Sequence, residues 1–244
     1  MIYQVEYAGY PVRYALRWPG TRFFFGEYIH AASGEDYDVR ATDEWMDHIR
    51  TLMPEDAAPP AVEYRSLIRP TSRPLLRHGC CLFHAAAFLW RRCAWLVTGH
   101  SGVGKTTQFR NWQRLFPGEV QMICGDMPVL EGREDGSVWV HSSPWNGKEQ
   151  MGNRSLSAPL GGIVRLEQKE ENIIYPLPIC DAIPVLFRQF MVRPETEAEL
   201  LSLSRLLEQI LQYAPVWFFQ NRGNDESTTL LRQTILEGGR HDTL

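Results

Sequence analysis

The sequence has few cysteines and no pair spaced C-x-x-C. Its 244 residues contain five cysteines, an odd number, and their spacings do not suit a metal cluster. We therefore expect reduced, partly buried thiols rather than a disulfide framework.

Long apolar segments and a secretion signal are also missing. The longest nearly uncharged apolar run, residues 80–90, is too short to cross a membrane as a helix. Residues 1–7 lack the charged and apolar regions of a signal peptide. We therefore expect a cytoplasmic chain with no membrane partner.

The chain has no excess of basic residues. Its net charge is −4, which argues against a general electrostatic grip on nucleic acid. With 44% hydrophobic and 22% charged residues, we expect a globular core in one large domain or in one domain with a smaller module.

A glycine-rich segment dominates what is present. It fits the phosphate-binding pattern G-x-x-x-x-G-K-[ST] at every required position, and with the residue that follows it reads Gly99, His100, Ser101, Gly102, Val103, Gly104, Lys105, Thr106 and Thr107. An apolar strand is predicted before it at residues 93–98, and Phe109, Trp112 and Phe116 recur after it at helical spacing. Strand, loop and helix form the context that this motif requires, and it favours phosphate binding over a chance glycine-rich turn.

The chemistry of such a loop follows from its backbone. Glycines let successive N–H groups point inward as an anion nest, and the following helix adds the positive end of its dipole. We expect Lys105 to reach the β- and γ-phosphates of a nucleotide and the Thr106 hydroxyl to bind Mg²⁺.

Two polar residues flank this loop in the predicted sheet. Asp126 follows a strand predicted at 119–123, where a magnesium ligand or a base belongs, although Gly125-Asp126 before a proline also spells a turn. His84 lies in the apolar run 80–90, predicted as one strand beside 93–98. It either faces the nucleotide or acceptor or is a core histidine.

A second loop, residues 143–149, combines a proline, an aromatic residue, a glycine and an opposed charge pair. Trp145, Lys148 and Glu149 could form a substrate or phosphate loop, with Lys148 on a phosphate and Glu149 on a metal or hydroxyl. An ordinary surface loop explains the same residues, and spacing alone does not separate the two interpretations.

The pattern changes along the chain. Residues 1–75 predict a small, mostly β module with strands near 1–10, 12–16 and 21–25, a short helix near 43–50, a linker at 54–60 and a connection that ends at 70–74. Residues 76–244 predict an α/β domain. It has a hairpin turn at 132–136, a helix begun by a capping box at Thr196 and a last helix capped by Asn224 or Asp225.

With these residues in hand, residues 80–220 resemble the HPr kinase/phosphorylase-like family of phosphoenolpyruvate-carboxykinase-type P-loop proteins, in particular its small, divergent members. The segments that carry the resemblance are Phe83-His84-Ala85-Ala86, the loop 98–107, Cys124-Gly125-Asp126 and Ser143-Pro144-Trp145. The resemblance implies a P-loop core of mixed β-sheet flanked by helices, and an ATP- and Mg²⁺-dependent kinase. Its acceptor would be a serine hydroxyl of a peptide or small protein.

The resemblance also assigns roles. It implies that Lys105 and the loop amides hold the β-phosphate, that Asp126 is the base and a candidate metal ligand, and that His84 lies near the transferred phosphate. Members of that family are often oligomeric, so it implies homo-oligomers too. The family's second aspartate is Met127 here, which motivates an alternative, a nucleotide-binding regulatory or scaffold protein without transfer activity. A small-metabolite kinase is a further alternative, and residues 1–75, outside the resemblance, are expected to recognise the acceptor.

Overall fold

The structure is a computed structural model that describes residues 1–147 and 150–238. It contains twelve strands, eight α-helices and two short 3₁₀ helices within those residues. None of the helices found there is both long and apolar enough to span a bilayer.

The strands are β1 Ile2–Tyr7, β2 Tyr10–Ala15, β3 Ile29–Ala31, β4 Cys80–Leu82, β5 Ala86–Trp90, β6 Cys93–Thr98, β7 Val120–Cys124, β8 Val129–Gly132, β9 Val138–His141, β10 Ser157–Gln168, β11 Ile173–Pro176 and β12 Val216–Asn221. The helices are α1 Arg22–Phe25, α2 Asp43–Thr51, α3 Pro59–Ser66, α4 Ile68–Leu76, α5 Lys105–Leu115, α6 Ile179–Phe187, α7 Glu197–Tyr213 and α8 Asp225–Gly238.

A mixed sheet of nine strands forms the centre of the fold, in the order β4-β8-β9-β10-β6-β5-β7, with β12 beside β10 and β11 beside β12. Strand β10 pairs with three other strands along its length. Its start pairs antiparallel with β9, and its later residues run parallel to β6 and β12. The chain therefore has a mixed α/β fold with helices on the sheet.

Two glycines follow the point at which β10 leaves β9 and begins to pair with β6. A Cβ at Gly161 or Gly162 would come within 2.9 Å or 2.6 Å of the Trp95 ring. The pairing with β6 shifts register at the same place. Glycine is needed here because the indole lies directly against the β10 backbone.

Three apolar clusters are formed by the central sheet, the helices on it and the N-terminal region. Helices α6 and α7 pack on one face of the sheet, together with Leu96 and Ile163. Helices α5 and α8 pack on the other face, with Phe109 and Trp112. A third cluster joins the N-terminal strands and helices to residues of the central sheet, among them Val129.

The prediction of a mostly β N-terminal module is wrong. Residues 1–76 contain a three-stranded sheet, β2-β1-β3, with strands of 6, 6 and 3 residues, but also helices of 4, 9, 8 and 9 residues. The strand predicted at 21–25 is helix α1. Its run of phenylalanines suits a strand by propensity, but Phe25 is buried against Tyr14 and Tyr64, and tertiary packing decides the conformation.

The prediction that the connection ends at 70–74 is also wrong, because those residues lie inside α4. Pro70 is the third residue of the helix, where the backbone N–H has no partner in the helix. Pro74 lies further inside and is tolerated in a helix whose Leu75 and Leu76 are buried.

The strand predicted over 80–90 is two strands, β4 and β5, with different partners. Strand β4 pairs with β8, and β5 lies between β6 and β7. Residues 83–85 cross between them, and their backbone bonds go elsewhere, for example from His84 N to Gln189 O.

Other sequence predictions are confirmed. The strand 93–98, the helix after the glycine-rich loop and the hairpin between β8 and β9 are all present. Thr196 caps α7 by accepting from Glu199 N, and Asn224 accepts from Ser227 N at the start of α8. Four cysteines are buried, and Cys180 is exposed. The division of the chain at residue 75 stays a prediction.

Candidate active site

The glycine-rich loop connects the end of β6 directly to the start of α5. Gly99, Gly102 and Gly104 all have positive φ, of 146°, 82° and 102°. A Cβ at Gly99 would lie 2.6 Å from the carbonyl oxygen of Leu166 in β10. The loop thus needs glycine for its backbone angles and, at Gly99, also for space.

Lys105 begins α5, and its side chain folds back under the loop. The residue is 9% exposed, and Nζ donates to Gly99 O at 3.2 Å and to His100 O at 3.3 Å. Burial lowers the pKa of this ammonium, and the negative charge of Asp126 offsets part of the shift. The loop therefore holds a desolvated positive charge at its centre.

His84 lies between Lys105 and Asp126. Its Nε2 is 3.3 Å from Lys105 Nζ and 3.5 Å from Asp126 Oδ1. Accepting from the ammonium requires the proton of a neutral imidazole to be on Nδ1. The His84 ring therefore lies beside the loop lysine.

Backbone bonds hold these groups together. Thr98 Oγ1 donates to His84 O at 2.7 Å, so the strand that leads into the loop is tied to the histidine. Ala85 N donates to Asp126 O at 2.9 Å, which fixes the aspartate beside the same crossing segment. Three segments far apart in sequence thus meet at one point.

The turn at Asp126 packs against the loop that follows β9. A Cβ on Gly125 would lie 2.5 Å from Asn146 O and 2.8 Å from Met151 O. Gly125 N donates to the side chain of Asn146, whose amide donates to Ser143 O at 3.0 Å. The loop at 143–147 therefore supports the turn that presents Asp126.

Met127 follows Asp126 directly, and the structure gives a physical reason for an apolar residue there. It is 8% exposed and belongs to the N-terminal cluster with Tyr64, Ile68 and Trp145. A carboxylate there would have to ionise among apolar rings, at a large desolvation cost.

Trp145 is also part of that cluster, although it lines the cleft. Its ring stacks on Tyr7 at 5.9 Å and on Tyr64 at 5.8 Å between centroids. Lys148 and Glu149, the other residues of the predicted substrate or phosphate loop, lie outside the described residues.

Lys105, Asp126 and Trp145 line one cleft of about 600 Å³, a size typical of small-molecule sites. The loop residues 101, 102 and 104–107 form its floor, and Asp126 and Asn146 form one side. Residues of the N-terminal region complete it: Phe24, Met53, Ala61, Tyr64, Arg65 and Ile68.

The residues present fit a nucleotide phosphate chain and Mg²⁺. The positive-φ glycines and the buried ammonium suit an anion. The Thr106 hydroxyl and the Asp126 carboxylate supply the hard oxygen ligands that Mg²⁺ prefers. No three His, Cys, Asp or Glu side chains converge within residues 1–147 and 150–238. Mg²⁺ needs no such cage, since it is commonly bound by one or two carboxylates together with substrate phosphates.

Sequence reasoning missed the N-terminal wall and Asn146. Asn146 stood in a loop that the sequence singled out, and the Asn-Gly pair was a usable signal for a tight turn. Phe24, Tyr64 and Arg65 gave no signal, because only the tertiary fold brings them to residues many tens of positions further along.

Comparison with known proteins gives distant likenesses among solved structures only. No protein-family model and no curated protein sequence matches the chain. Among solved structures, the HPr(Ser) kinase/phosphatase from Coxiella burnetii is 14% identical, with a TM-score of 0.37 over 64% of this chain and 97% of that one. At this distance the likeness concerns the fold alone.

Proposed function

We propose that this protein transfers the γ-phosphoryl group of ATP to a hydroxyl group, most simply a serine of a peptide or small protein. One observation carries the proposal. Beside the glycine-rich loop, His84 Nε2 lies 3.3 Å from Lys105 Nζ and 3.5 Å from Asp126 Oδ1. A phosphate site next to a carboxylate base is the arrangement that phosphoryl transfer to a hydroxyl needs.

In this proposal the loop amides and Lys105 bind the β- and γ-phosphates. The acceptor oxygen forms the new bond to the γ-phosphorus, while the bond from that phosphorus to the β–γ bridging oxygen breaks and ADP leaves with the electron pair. Asp126 accepts the proton that the acceptor hydroxyl loses. Lys105 neutralises the charge that develops on that bridging oxygen.

Mg²⁺, when bound by Thr106 and Asp126, supplies charge neutralisation of the phosphate oxygens. His84 orients Lys105 by accepting from its ammonium, and its ring limits the space between the lysine and Asp126. We propose in addition that the protein is cytoplasmic, that its core is a phosphoenolpyruvate-carboxykinase-type P-loop fold and that it forms homo-oligomers.

The rival function is nucleotide binding without transfer, which Met127 favours because it removes a second carboxylate from the cleft. The two functions differ in one variant, Asp126→Asn. If the protein is a kinase, the Asp126→Asn variant should bind ATP with near-normal affinity. Its rate of phosphoryl transfer should fall by about 100-fold or more, since the amide accepts no proton.

Single-turnover transfer from ATP, measured beside an ATP-binding titration, tests the assignment. Transfer at the wild-type rate by the Asp126→Asn variant would show that Asp126 is not the base. An intact wild-type protein that binds ATP and transfers nothing to any acceptor would replace the kinase with the regulatory function.

A further inference from the structure

A row of stacked rings, the aromatic stack, reaches one wall of the cleft and consists of Tyr7, Trp145, Tyr64 and Phe24. Successive ring centroids lie 5.9, 5.8 and 5.3 Å apart, and the interplanar angles are 12°, 26° and 24°. Burial falls along the row, from a fully buried Tyr7 to Phe24, which is 42% exposed. The stack therefore ends in a ring that lines the cleft and has an open face.

The end of this stack is held rigidly. Phe25 meets the edges of Tyr64 and Trp145 at 5.0 and 5.8 Å, and Tyr64 Oη donates to Pro144 O at 2.9 Å. A rigid aromatic surface loses little conformational entropy when a ligand binds to it. This is the property of a recognition surface rather than of a mobile surface residue.

A buried carboxylate fixes the turn that carries Phe24. Glu63 is 1% exposed and accepts from Arg17 N at 2.6 Å, from Trp18 N at 3.2 Å and from Thr21 Oγ1. These bonds join the start of α1 to α3, the helix that carries Tyr64. The chain thus fixes the position of the two outer rings relative to each other.

The wall lies next to the turn that carries Asp126. Met127, which follows Asp126 directly, donates through its backbone N–H to Trp145 O at 3.1 Å, and its side chain packs with Tyr64 and Ile68. An acceptor hydroxyl must come within hydrogen-bond reach of Asp126, so an acceptor bound in this cleft lies beside the stack.

One charge interrupts this apolar wall. Arg65 is exposed, lines the cleft beside Tyr64 and forms no ion pair within the described part of the chain. A guanidinium in this place attracts a carboxylate.

We propose that the wall formed by Phe24, Tyr64 and Arg65 is the acceptor subsite, and that it selects a peptide with an aromatic or large aliphatic side chain and an acidic group near the phosphorylated hydroxyl. The inference rests on the proposed kinase function. It adds a chemical class of acceptor, because the open ring face takes the apolar side chain and Arg65 takes the acid.

A set of serine peptides with randomised flanking positions tests the inference. We expect wild-type protein to phosphorylate peptides with an aromatic and an acidic neighbour best. Phe24→Ala should lower kcat/KM for the aromatic peptides by about 10-fold. Phe23→Ala is the matched control, because Phe23 is 72% exposed and does not line the cleft.

Charge reversal gives a second, independent variant. Arg65→Glu should lower kcat/KM for the acidic peptides by about fivefold and shift the preference toward basic neighbours. Thermal melting shows that each variant is folded, and binding of a fluorescent ATP analogue should be unchanged in all three.

The outcomes separate the two levels of the proposal. Peptide phosphorylation with no flanking preference, or with a preference that Phe24→Ala and Arg65→Glu leave intact, would overturn the acceptor subsite and keep the kinase. Loss of ATP affinity in Phe24→Ala would instead place the nucleobase on the stack. Binding of ATP with no phosphorylation of any peptide would overturn the proposed function and the subsite together.

Discussion

Lys105 carries a positive charge in a place that disfavours charge. Burial beneath the loop is the largest influence on this group and lowers its pKa, while Asp126 acts in the opposite direction. In the free protein, Lys105 therefore binds its proton less tightly than an exposed lysine does. A bound polyphosphate restores the lost interactions of the charge, which makes the group well suited to an anion site.

Nucleotide affinity should consequently depend on pH. The ammonium form binds phosphate, and a lowered pKa means that free protein loses this proton at a lower pH than an ordinary lysine does. Affinity for an ATP analogue should therefore fall as pH rises, beginning below about pH 10.4, the ordinary lysine value. A titration at constant ionic strength measures this directly.

Lys105→Arg is the control for that titration, because a guanidinium stays protonated throughout the range. Its affinity should be flat across the pH window where the wild-type affinity falls. A wild-type affinity that stays constant up to the ordinary lysine pKa would contradict the assignment.

At the scale of elements, helix α5 is tied to its neighbours by a buried polar network. Gln108 Nε2 donates to Asn221 Oδ1 at 2.8 Å and to Ser227 Oγ at 3.1 Å, and Thr228 Oγ1 donates to Gln108 Oε1 at 3.0 Å. All four side chains are buried. The network joins the loop helix to β12 and α8, and so it supports the loop from below.

Gln108→Ala should destabilise the protein by about 2 kcal/mol, because it leaves buried polar partners without hydrogen bonds. Urea unfolding measures this free energy. Gln113→Ala, on the exposed side of the same helix, removes the same side chain without these bonds and should change the free energy of unfolding by less than about 0.5 kcal/mol. Equal effects of the two substitutions would show that the network contributes nothing.

The strand, loop and helix around Lys105 could be predicted because local physics determines them. The glycines, the apolar run before them and the helical spacing after them all indicate the same local structure. The hairpin at Gly136 and the cap at Thr196 follow equally from neighbouring residues. For Asp126 the sequence predicted the position, while its distance to His84 came only from the fold.

Elements whose form depends on distant partners were predicted less well. Helix α4 contains Pro70 and Pro74, which local rules assign to a connection, yet its buried leucines pack against both the N-terminal and the central clusters. Residues 83–85 divide a continuous apolar run because β4 and β5 pair with different strands. Neither partner can be recognised from the run itself.

At the scale of the whole molecule, the N-terminal residues and the central sheet share one core. A single cluster contains Val5, Tyr14 and Val62 together with Leu82 and Trp145. Residues outside the recognised resemblance thereby form a wall of the candidate active site. Sequence patterns could not show this, since the contacts join residues many tens of positions apart.

The same architecture suggests how phosphate and acceptor meet. The central sheet positions Lys105, His84 and Asp126, and the N-terminal region positions the aromatic stack beside them. A phosphate donor on the loop and a hydroxyl at Asp126 would then lie in one cleft, with the apolar wall excluding water. We therefore infer that this cleft is a kinase site.

Transfer of labelled γ-phosphate from Mg-ATP into a soluble extract of the source cell tests that claim most directly, with wild-type protein compared with Lys105→Ala, Asp126→Asn and the surface control Gln113→Ala. We predict a labelled polypeptide with wild-type protein and the control, and none with the other two variants. A label confined to a small-molecule fraction would change the acceptor class. Wild-type protein that binds ATP but labels nothing, or labelling that survives both substitutions, would contradict the claim.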